Sequence, residues 1–249
     1  MTQHTHTTEH RNEHGKKMTT EKAVLISGII ISIAILAHGF IVAKYNTTKS
    51  GASGLVDKAV IAEIMKTPAI AHKYFADQTP TEEIVMTVYT DTECPFCKNF
   101  HSTLNELLSN NDGKLAVVYK HFPLSFHPNA QKEAESIECV REIESDAKAF
   151  KYMDAIFAVT PSNNKLTKEA LFEITDAMKL KTKKIRECTE SGKYAQKVKA
   201  EIAEGEQKGV QGTPFTFIEQ NKEGVKTSLG TINGAQPIEA VQAILSQAK

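Results

Sequence analysis

The sequence has no tryptophan, no surplus of charge of either sign and only four cysteines among its 249 residues. Because 30 basic side chains balance 30 acidic ones, it lacks the excess of Lys and Arg that is typical of nucleic-acid-binding proteins. Four cysteines are too few for a disulfide scaffold in a chain of this length. With 41% hydrophobic and 24% charged residues, the chain is expected to form one domain with appended segments and to bind no nucleic acid.

One apolar run, residues 23–43, contains no charged side chain. As a helix rising ~1.5 Å per residue it would be about 30 Å long, which matches the hydrocarbon thickness of a bilayer. A cleaved signal peptide is the alternative, but its apolar region is normally about 7–15 residues long and ends at a small-residue site. The best such site here, Ile41-Val42-Ala43, is a poor match. We therefore expect an uncleaved transmembrane anchor, with the lipid bilayer as a partner.

Basic residues are more frequent before this run than after it. Four precede it and two follow it closely: Arg11, Lys16, Lys17 and Lys22 before, Lys44 and Lys49 after. The positive-inside rule therefore predicts a single-pass protein of the cell membrane, with a cytoplasmic N-terminus and an extracytoplasmic body. The tail, residues 1–22, has four histidines diluted by Thr, Gln, Asn and Glu, which is typical of a disordered segment rather than of a metal site.

Residues 44–80 link this run to the main domain. A polar tether comes first, and residues 55–76 then place apolar side chains at helical spacing. Thr67-Pro68 is expected to end or bend this amphipathic helix. Because such a stripe usually faces a core, we expect the helix to pack on the main domain rather than to bind a membrane or a partner.

Residues 81–249 have the pattern of one α/β domain. The strand-like segments, rich in β-branched and aromatic residues, are residues 83–90, 114–122, 214–219 and 224–228. Helical patterns follow Cys94 and also cover residues 130–144, 147–157, 168–178, 182–189, 194–208 and 237–247. Because strands occur on both sides of the long helical block, we interpret residues 128–209, approximately, as an all-helical insertion into a single α/β domain.

Cys94 and Cys97 form a Cys-Pro-Phe-Cys motif between the first strand and the helix that follows. A structural zinc site needs four ligands, commonly from two such pairs, whereas Cys139 and Cys188 are isolated single cysteines. The motif therefore indicates redox chemistry and no metal. A thiol at a helix N-terminus is stabilised as the thiolate by the free amides and the helix dipole. Cys94 is thus predicted to form a mixed disulfide with a client, and Cys97, one turn later, to resolve it.

A second motif, Gly212-Thr213-Pro214, comes directly before the returning strand. Proline has no N–H, so at this point it cannot donate to the ladder of a sheet. A cis peptide bond before Pro214 would turn the backbone towards the Cys94 sulfur, and Thr213 would then offer its backbone groups to an extended client peptide. The sequence alone favours the trans bond.

Five segments share their residues and their order with a known family. They are CPFC, HFPLSFHPNA (121–130), LFEITDAMKL (171–180), ECTESGKY (187–194) and GVQGTPFTFI (209–218). Through them the chain, from about residue 83 onward, resembles the DsbA-like branch of the thioredoxin superfamily. The resemblance implies a thioredoxin fold with a helical insertion, Cys94 as nucleophile, Cys97 as resolver and Pro214 as a cis-proline beside them. No cofactor is expected. The expected partners are exported client proteins with cysteines and a membrane redox protein that recycles the pair.

Two further expectations concern acids and cysteines. Relatives often carry a buried acidic residue six positions before the first cysteine, where this chain has Val88, so proton transfer is left to Asp91, Glu93 or water. The resemblance also suggests that Cys139 and Cys188, both in the insertion, face each other. An oxidising compartment would let them form a disulfide, and two buried free thiols are the alternative.

We expect the protein to be a thiol–disulfide oxidoreductase. Cys-Pro-Phe-Cys resembles the motifs of oxidases more than the Gly-Pro pair of reducing thioredoxins, which favours an oxidase that forms disulfides in exported proteins. A reductase or isomerase is one alternative, and a metallochaperone that binds copper through the cysteines is another. His121 and His127 are expected to make structural hydrogen bonds rather than to act as general bases.

Overall fold

The computed structural model describes residues 10–11, 17–18, 56–111, 113–223 and 225–248. Two short antiparallel strands, β1 (His10–Arg11) and β2 (Lys17–Met18), are the described part of the N-terminal tail. The expected anchor at residues 23–43 and the tether after it lie outside the described residues. None of the helices that are described is long and apolar enough to span a bilayer. All other elements belong to a compact unit, residues 54–249.

A five-stranded mixed sheet forms the centre of this unit. Its strands are β3 (Lys73–Phe75), β4 (Ile84–Thr90), β5 (Leu115–His121), β6 (Phe215–Lys222) and β7 (Val225–Asn233), and they lie in the order β3-β5-β4-β6-β7. The first three run parallel, while β6 is antiparallel to β4 and β7 is antiparallel to β6. Six of the seven residues of the central strand β4 are buried, which explains its continuous run of apolar and β-branched residues.

Helix α2 (Pro95–Ser109) connects β4 to β5, and α8 (Ile238–Leu245) follows β7. Five helices lie between β5 and β6: α3 (Ala130–Ile143), α4 (Asp146–Val159), α5 (Lys168–Ala177), α6 (Thr182–Ser191) and α7 (Ala195–Gln207). Each begins and ends within two residues of the predicted bounds. The helical block is therefore an insertion into the α/β domain, as its position between strand-like segments indicated.

The segment before β4 differs from the prediction. Helix α1 covers only Lys58–Lys66, so the expectation that Thr67-Pro68 ends the helix is confirmed, and the apolar spacing that extends to residue 76 is not helical beyond this point. The Asp57 side chain caps the start of α1 by accepting from the Ala59 amide at 2.9 Å, and Pro68 prevents its continuation. Lys73–Phe75 instead forms the edge strand β3 beside β5, so the α/β domain begins before residue 81.

One hydrophobic core joins the sheet to the insertion. Its fully buried members include Met86 of β4, Leu104 of α2 and Ile137 of α3. Helix α1 contributes Ile61, which is also fully buried, and packs against α4 and α5. The expectation that this amphipathic helix packs on the main domain is therefore confirmed. The shared core fixes the insertion relative to α2, the helix that begins after Cys94.

A disulfide joins Cys139 of α3 to Cys188 of α6, which confirms the expected pairing. The two residues are 49 positions apart. Replacing both with alanine is expected to lower the free energy of unfolding by about 2–4 kcal/mol, because the bond removes conformational freedom from a long loop of the unfolded chain. Urea denaturation of the variant and of the wild-type protein measures this difference. A loss below about 0.5 kcal/mol, the size of an ordinary surface substitution, would contradict the expectation.

Candidate active site

Cys94 lies at the junction of the central strand and α2. Strand β4 ends at Thr90, and the Cys94 amide donates to the Asp91 carbonyl at 3.1 Å, which closes a tight turn. Cys94 itself is the extended N-cap residue of α2, and Pro95 is the first helical residue, where a missing N–H costs nothing. The thiol is therefore placed at the N-terminus of a 15-residue helix, as the strand–motif–helix pattern predicted.

The second motif lies against the first. The peptide bond between Thr213 and Pro214 is cis, as the resemblance implied. The Cys94 Sγ is 3.4 Å from the Thr213 carbonyl oxygen, so the thiol donates a hydrogen bond to the residue before Pro214. Cys97 is buried one turn into α2. The structure thus brings Cys94, Cys97, Thr213 and Pro214 together, although they are about 120 positions apart along the chain.

The two cysteines differ strongly in acidity. A hydrogen bond from the Cys97 thiol, assisted by the backbone amides of Cys97 and Phe96 and by Thr213, outweighs burial and lowers the pKa of Cys94 to about 6. Burial, reinforced by the negative charge of Cys94, raises the pKa of Cys97 well above its ordinary value. At neutral pH the reduced pair therefore consists of a Cys94 thiolate and a Cys97 thiol.

Asp91, one residue beyond β4, organises the turn that holds the cysteines. Its amide donates to the Cys97 Sγ at 3.4 Å, and its Oδ1 accepts from the Glu93 amide at 2.8 Å. Its Oδ2 accepts from the Leu124 amide and from His127 Nδ1, both at 2.8 Å. These bonds tie the cysteine turn to the loop between β5 and α3. His127 therefore positions a carboxylate here, in line with the structural role expected for it.

His121 also makes structural contacts. Its amide donates to Glu201 Oε2 at 2.6 Å, and its Nε2 lies 3.2 Å from Glu138 Oε1. Val88, six positions before Cys94, where an acidic residue would be expected from the resemblance, is 1% exposed within the core. Among the residues that the structure describes, no group of three His, Cys, Asp or Glu side chains is arranged to hold a metal ion.

The sequence interpretation missed one residue of the site, Glu133. It lies in the first turn of α3, is 1% exposed, and its Oε2 accepts a hydrogen bond from the Thr92 hydroxyl. Glu93, the residue before Cys94, is fully buried next to it. A Glu in the first turn of a helix is common at exposed helix starts, so the sequence carried no signal that this one is buried beside the cysteine turn.

The insertion holds the cysteine turn through the segment that follows α4. Three consecutive residues, Ser162, Asn163 and Asn164, have positive φ angles of 61°, 52° and 65°. The Asn163 amide donates to the Glu93 carbonyl at 2.9 Å, and the Asn164 side-chain amide donates to the Phe126 carbonyl at 3.0 Å. This segment therefore links the turn before Cys94 to the loop that carries Phe126.

Two large apolar rings are exposed on segments adjoining Cys94. Phe96, between the two cysteines, is 61% exposed, and Phe126, in the loop tied to Asp91, is 67% exposed.

The sheet order, together with a reactive cysteine at the start of the helix that follows the central strand, is that of a thioredoxin-fold protein. A family model described as thioredoxin matches residues 79–246. The chain belongs to the thioredoxin family.

Solved structures show which form of the fold it has. DsbA2 of Pseudomonas aeruginosa superposes with a TM-score of 0.58 and 24% identity, over 68% of this chain and 90% of that one. Alpha-DsbA1 of Wolbachia pipientis superposes with a TM-score of 0.57 and 20% identity, over 68% of this chain and 87% of that one. The catalytic domain of Proteus mirabilis ScsC superposes with a TM-score of 0.51 and 21% identity, over 76% of this chain and 95% of that one. The protein therefore has the DsbA-like form of the thioredoxin fold, and the resemblance noted from the sequence is confirmed.

Curated relatives match part of the chain at the level of sequence. They include the Na(+)/H(+) antiporter NhaA 3 of Salinispora tropica and NhaA 1 of Salinispora arenicola, each 26% identical over 171 residues. The match covers 68% of this chain but only 24% of each antiporter. The chain thus spans about a quarter of the length of these relatives, and the likeness is confined to one segment of them.

Proposed function

We propose that the protein is a membrane-anchored thiol–disulfide oxidoreductase that forms disulfides in exported proteins through Cys94 and Cys97. The observation that carries this proposal is the asymmetry of the pair. Cys94 is an acidic thiol at a helix N-terminus beside Thr213-Pro214, and Cys97 is a buried thiol of high pKa. A pair of this kind has one sulfur suited to attack and departure as a thiolate and another suited to hold a proton.

The proposed reaction starts from the oxidised pair. A client thiolate attacks the Cys94 sulfur, the Cys94–Cys97 bond breaks, and its electron pair goes to Cys97, which takes up a proton because its pKa is high. A second client thiolate then attacks the client sulfur of the mixed disulfide, and Cys94 leaves as a thiolate. Two client thiols are oxidised and the cysteine pair is reduced. The Thr213 backbone lies next to Cys94, where it can pair with the extended client.

The acidity of Cys94 favours this direction. At pH 7, a thiol with a pKa near 6 is mostly ionised, which stabilises the reduced pair by about 1.4 kcal/mol relative to an ordinary thiol. For a two-electron couple this is about 30 mV towards a more oxidising potential. The shift is in the direction that favours oxidation of a client.

The membrane location rests on the sequence. Residues 23–43 form an apolar run of sufficient length to span a bilayer, and the basic residues are concentrated before it. We place the domain outside the cytoplasm, where its partners would be exported proteins with cysteines and a membrane redox protein that reoxidises the pair. The disulfide between Cys139 and Cys188 agrees with an oxidising compartment.

The experiment that tests the function is equilibration of the full-length protein, solubilised in detergent, with glutathione buffers of known potential. We expect a Cys94–Cys97 potential more oxidising than about −200 mV, above the range of glutaredoxins. Catalysed oxidation of a reduced client protein should accompany it. A potential near about −270 mV, that of thioredoxin, would instead identify a reductase.

The pH dependence of alkylation tests the acidity of Cys94. Because the thiolate is the reactive form, the rate with iodoacetamide should rise with pH, reach half of its plateau near pH 6 and be about one tenth of the plateau at pH 5. Cys97→Ala removes the hydrogen bond that contributes most to this acidity and should move the midpoint upward. A midpoint above about 8, near that of a free thiol, would contradict the assignment of Cys94 as the activated sulfur.

A further inference from the structure

Two carboxyl groups meet in the interior beside the cysteine turn. Glu93 is 0% exposed and Glu133 is 1% exposed. Oε2 of Glu133 accepts from the Thr92 hydroxyl, and the Glu93 carboxyl lies within hydrogen-bonding reach of Glu133. Within the described part of the chain, no other donor reaches Oε1 of Glu133 or either carboxylate oxygen of Glu93. Two acceptors therefore face each other with no hydrogen between them unless one carboxyl is protonated.

Both groups cannot be ionised at low cost. Two negative charges in contact and shielded from water repel strongly, and an unpartnered buried oxygen adds a desolvation cost. One proton between them removes a charge and supplies the missing donor. Burial, the hydrogen bond with Glu93 and the charges of Glu93 and Asp91 accordingly hold the pKa of Glu133 well above its usual range.

The groups around the pair leave its charge unbalanced. Asp91, from the turn after β4, adds a further negative charge, and Tyr152 of α4 remains neutral because burial raises its pKa. Lys132 and Lys168 line a pocket of about 100 Å³ together with Glu133, and their ammonium groups pair with Glu135 and Glu190. Lys168 is exposed and Lys132 is partly exposed, so this pocket connects Glu133 with the surface. A proton can therefore reach the pair from solvent.

The pair is also connected to the cysteines. Glu93 is covalently joined to Cys94, its amide donates to Asp91 Oδ1, and the Asp91 amide donates to the Cys97 Sγ. Strand β4, which precedes the motif, has the sequence IVMTVYT and contains no carboxyl side chain. The buried acids next to the cysteine turn thus come from the turn itself and from α3 of the insertion.

We propose that Glu93 and Glu133 share one proton in the reduced protein and that the pair loses this proton more readily when Cys94 is bonded to Cys97, so that reduction, at pH values where the oxidised form has lost it, takes up a proton at the carboxyl pair as well as at Cys97. The inference rests on the proposed function. Reduction of the disulfide by two electrons gives the Cys94 thiolate and, with one proton, the Cys97 thiol. The new negative charge on Cys94 opposes ionisation of the adjacent carboxyl pair, which takes up the second proton from solvent. Glu93 and Glu133 are positioning residues, since neither contacts a sulfur.

The test is the potential of the cysteine pair, measured in the full-length protein against glutathione from pH 5 to 9. Each proton taken up with two electrons changes the potential by about 30 mV per pH unit. Above the pKa of Cys94, Cys97 alone gives a slope of about 30 mV, and the carboxyl pair should increase it towards about 60 mV over part of the range. Infrared difference spectra should show the C=O stretch of a protonated carboxyl group.

Glu133→Gln is the matched variant, because the Gln amide has the same shape and can donate to Glu93 permanently. It should keep a slope of about 30 mV at every pH above the pKa of Cys94 and lose the carboxylic C=O band. Glu93→Gln should give the same slope and the same loss of the band, and it replaces Glu133→Gln in the test if that variant fails to fold. Glu142 lies on the same helix as Glu133 and forms an exposed ion pair with Lys193. Glu142→Gln should therefore reproduce the wild-type profile.

The outcomes separate the two proposals. A wild-type pair that exchanges with glutathione, but with the same slope and the same infrared spectrum as both glutamine variants, overturns the shared proton and leaves the oxidoreductase intact. A wild-type pair that does not exchange with glutathione overturns the proposed function. In that case the carboxylic C=O band still decides whether Glu93 and Glu133 hold a proton.

Discussion

Replacing Cys94 with serine is expected to reduce disulfide exchange to the rate without protein, whereas replacing Cys97 with serine is expected to trap a covalent adduct between Cys94 and its client. The geometry gives the two sulfurs different tasks. Cys94 has the acidic thiol and adjoins Thr213, so the client disulfide must form there. Cys97, one turn into α2, keeps its proton because its pKa is raised, and acts only on the Cys94 sulfur.

The adduct is measured by mixing the Cys97→Ser variant with a disulfide-containing client and analysing the product by mass spectrometry without reducing agent. Cys94→Ser should give no adduct. The Cys139→Ala/Cys188→Ala variant is the control, because it removes the two cysteines outside the motif and should exchange disulfides at the wild-type rate. Wild-type exchange by Cys94→Ser, or an adduct at Cys97, would refute the assignment of roles.

The features that could be predicted from the sequence are those set by local pattern. The helices of the insertion repeat apolar residues at helical spacing over ten or more positions, and their ends were placed within two residues. Cys94 and Cys97 are close in sequence, so the strand–motif–helix order alone located them on α2. Thr213-Pro214 was placed beside Cys94 through the resemblance, since no local signal indicates that two distant segments meet.

The features that escaped prediction depend on tertiary contacts. β3 has only three residues, and its alternation of buried and half-buried positions is too short to be distinguished from helical spacing. Its pairing with Val117–Tyr119 of β5 makes it a strand. For the same reason the sequence does not distinguish Asp91, Glu93 and water as the proton acceptor. Glu133, on α3, determines the environment of Glu93, and their meeting follows from how the insertion packs on the cysteine turn.

A second buried cluster connects the edge strand, α2 and α4 through one carboxylate, Asp154. Its Oδ1 accepts from Lys73 Nζ at 3.0 Å and from His101 Nε2 at 2.6 Å. The side chain of Lys73 is 1% exposed and that of Asp154 is 23% exposed, so the pair is largely shielded from water. Burial lowers the pKa of His101, which is consistent with a neutral ring whose Nε2–H donates to Asp154 while Nδ1 faces the Tyr119 hydroxyl at 3.4 Å.

Asp154→Asn is expected to lower the free energy of unfolding by about 3–5 kcal/mol, because it leaves the buried Lys73 ammonium without a counter-charge. Urea denaturation at neutral pH measures the loss. Glu142→Gln, which breaks an exposed ion pair, is the matched control and should change stability by less than about 1 kcal/mol. Lys73→Met combined with Asp154→Asn should recover part of the loss, since no unpaired charge then remains buried.

The pH dependence distinguishes this charge effect from a loss of packing. Burial favours the neutral carboxyl, but the Lys73 charge and the hydrogen bond from His101 outweigh it and hold the pKa of Asp154 well below its ordinary value. A lowered carboxyl pKa stabilises the folded state above the unfolded value of about 3.9, and this stabilisation is lost as pH falls towards the folded value. The difference between wild type and Asp154→Asn should therefore be constant near neutral pH and shrink below about pH 4. A difference that persists undiminished in acid would assign the loss to packing and not to the ion pair.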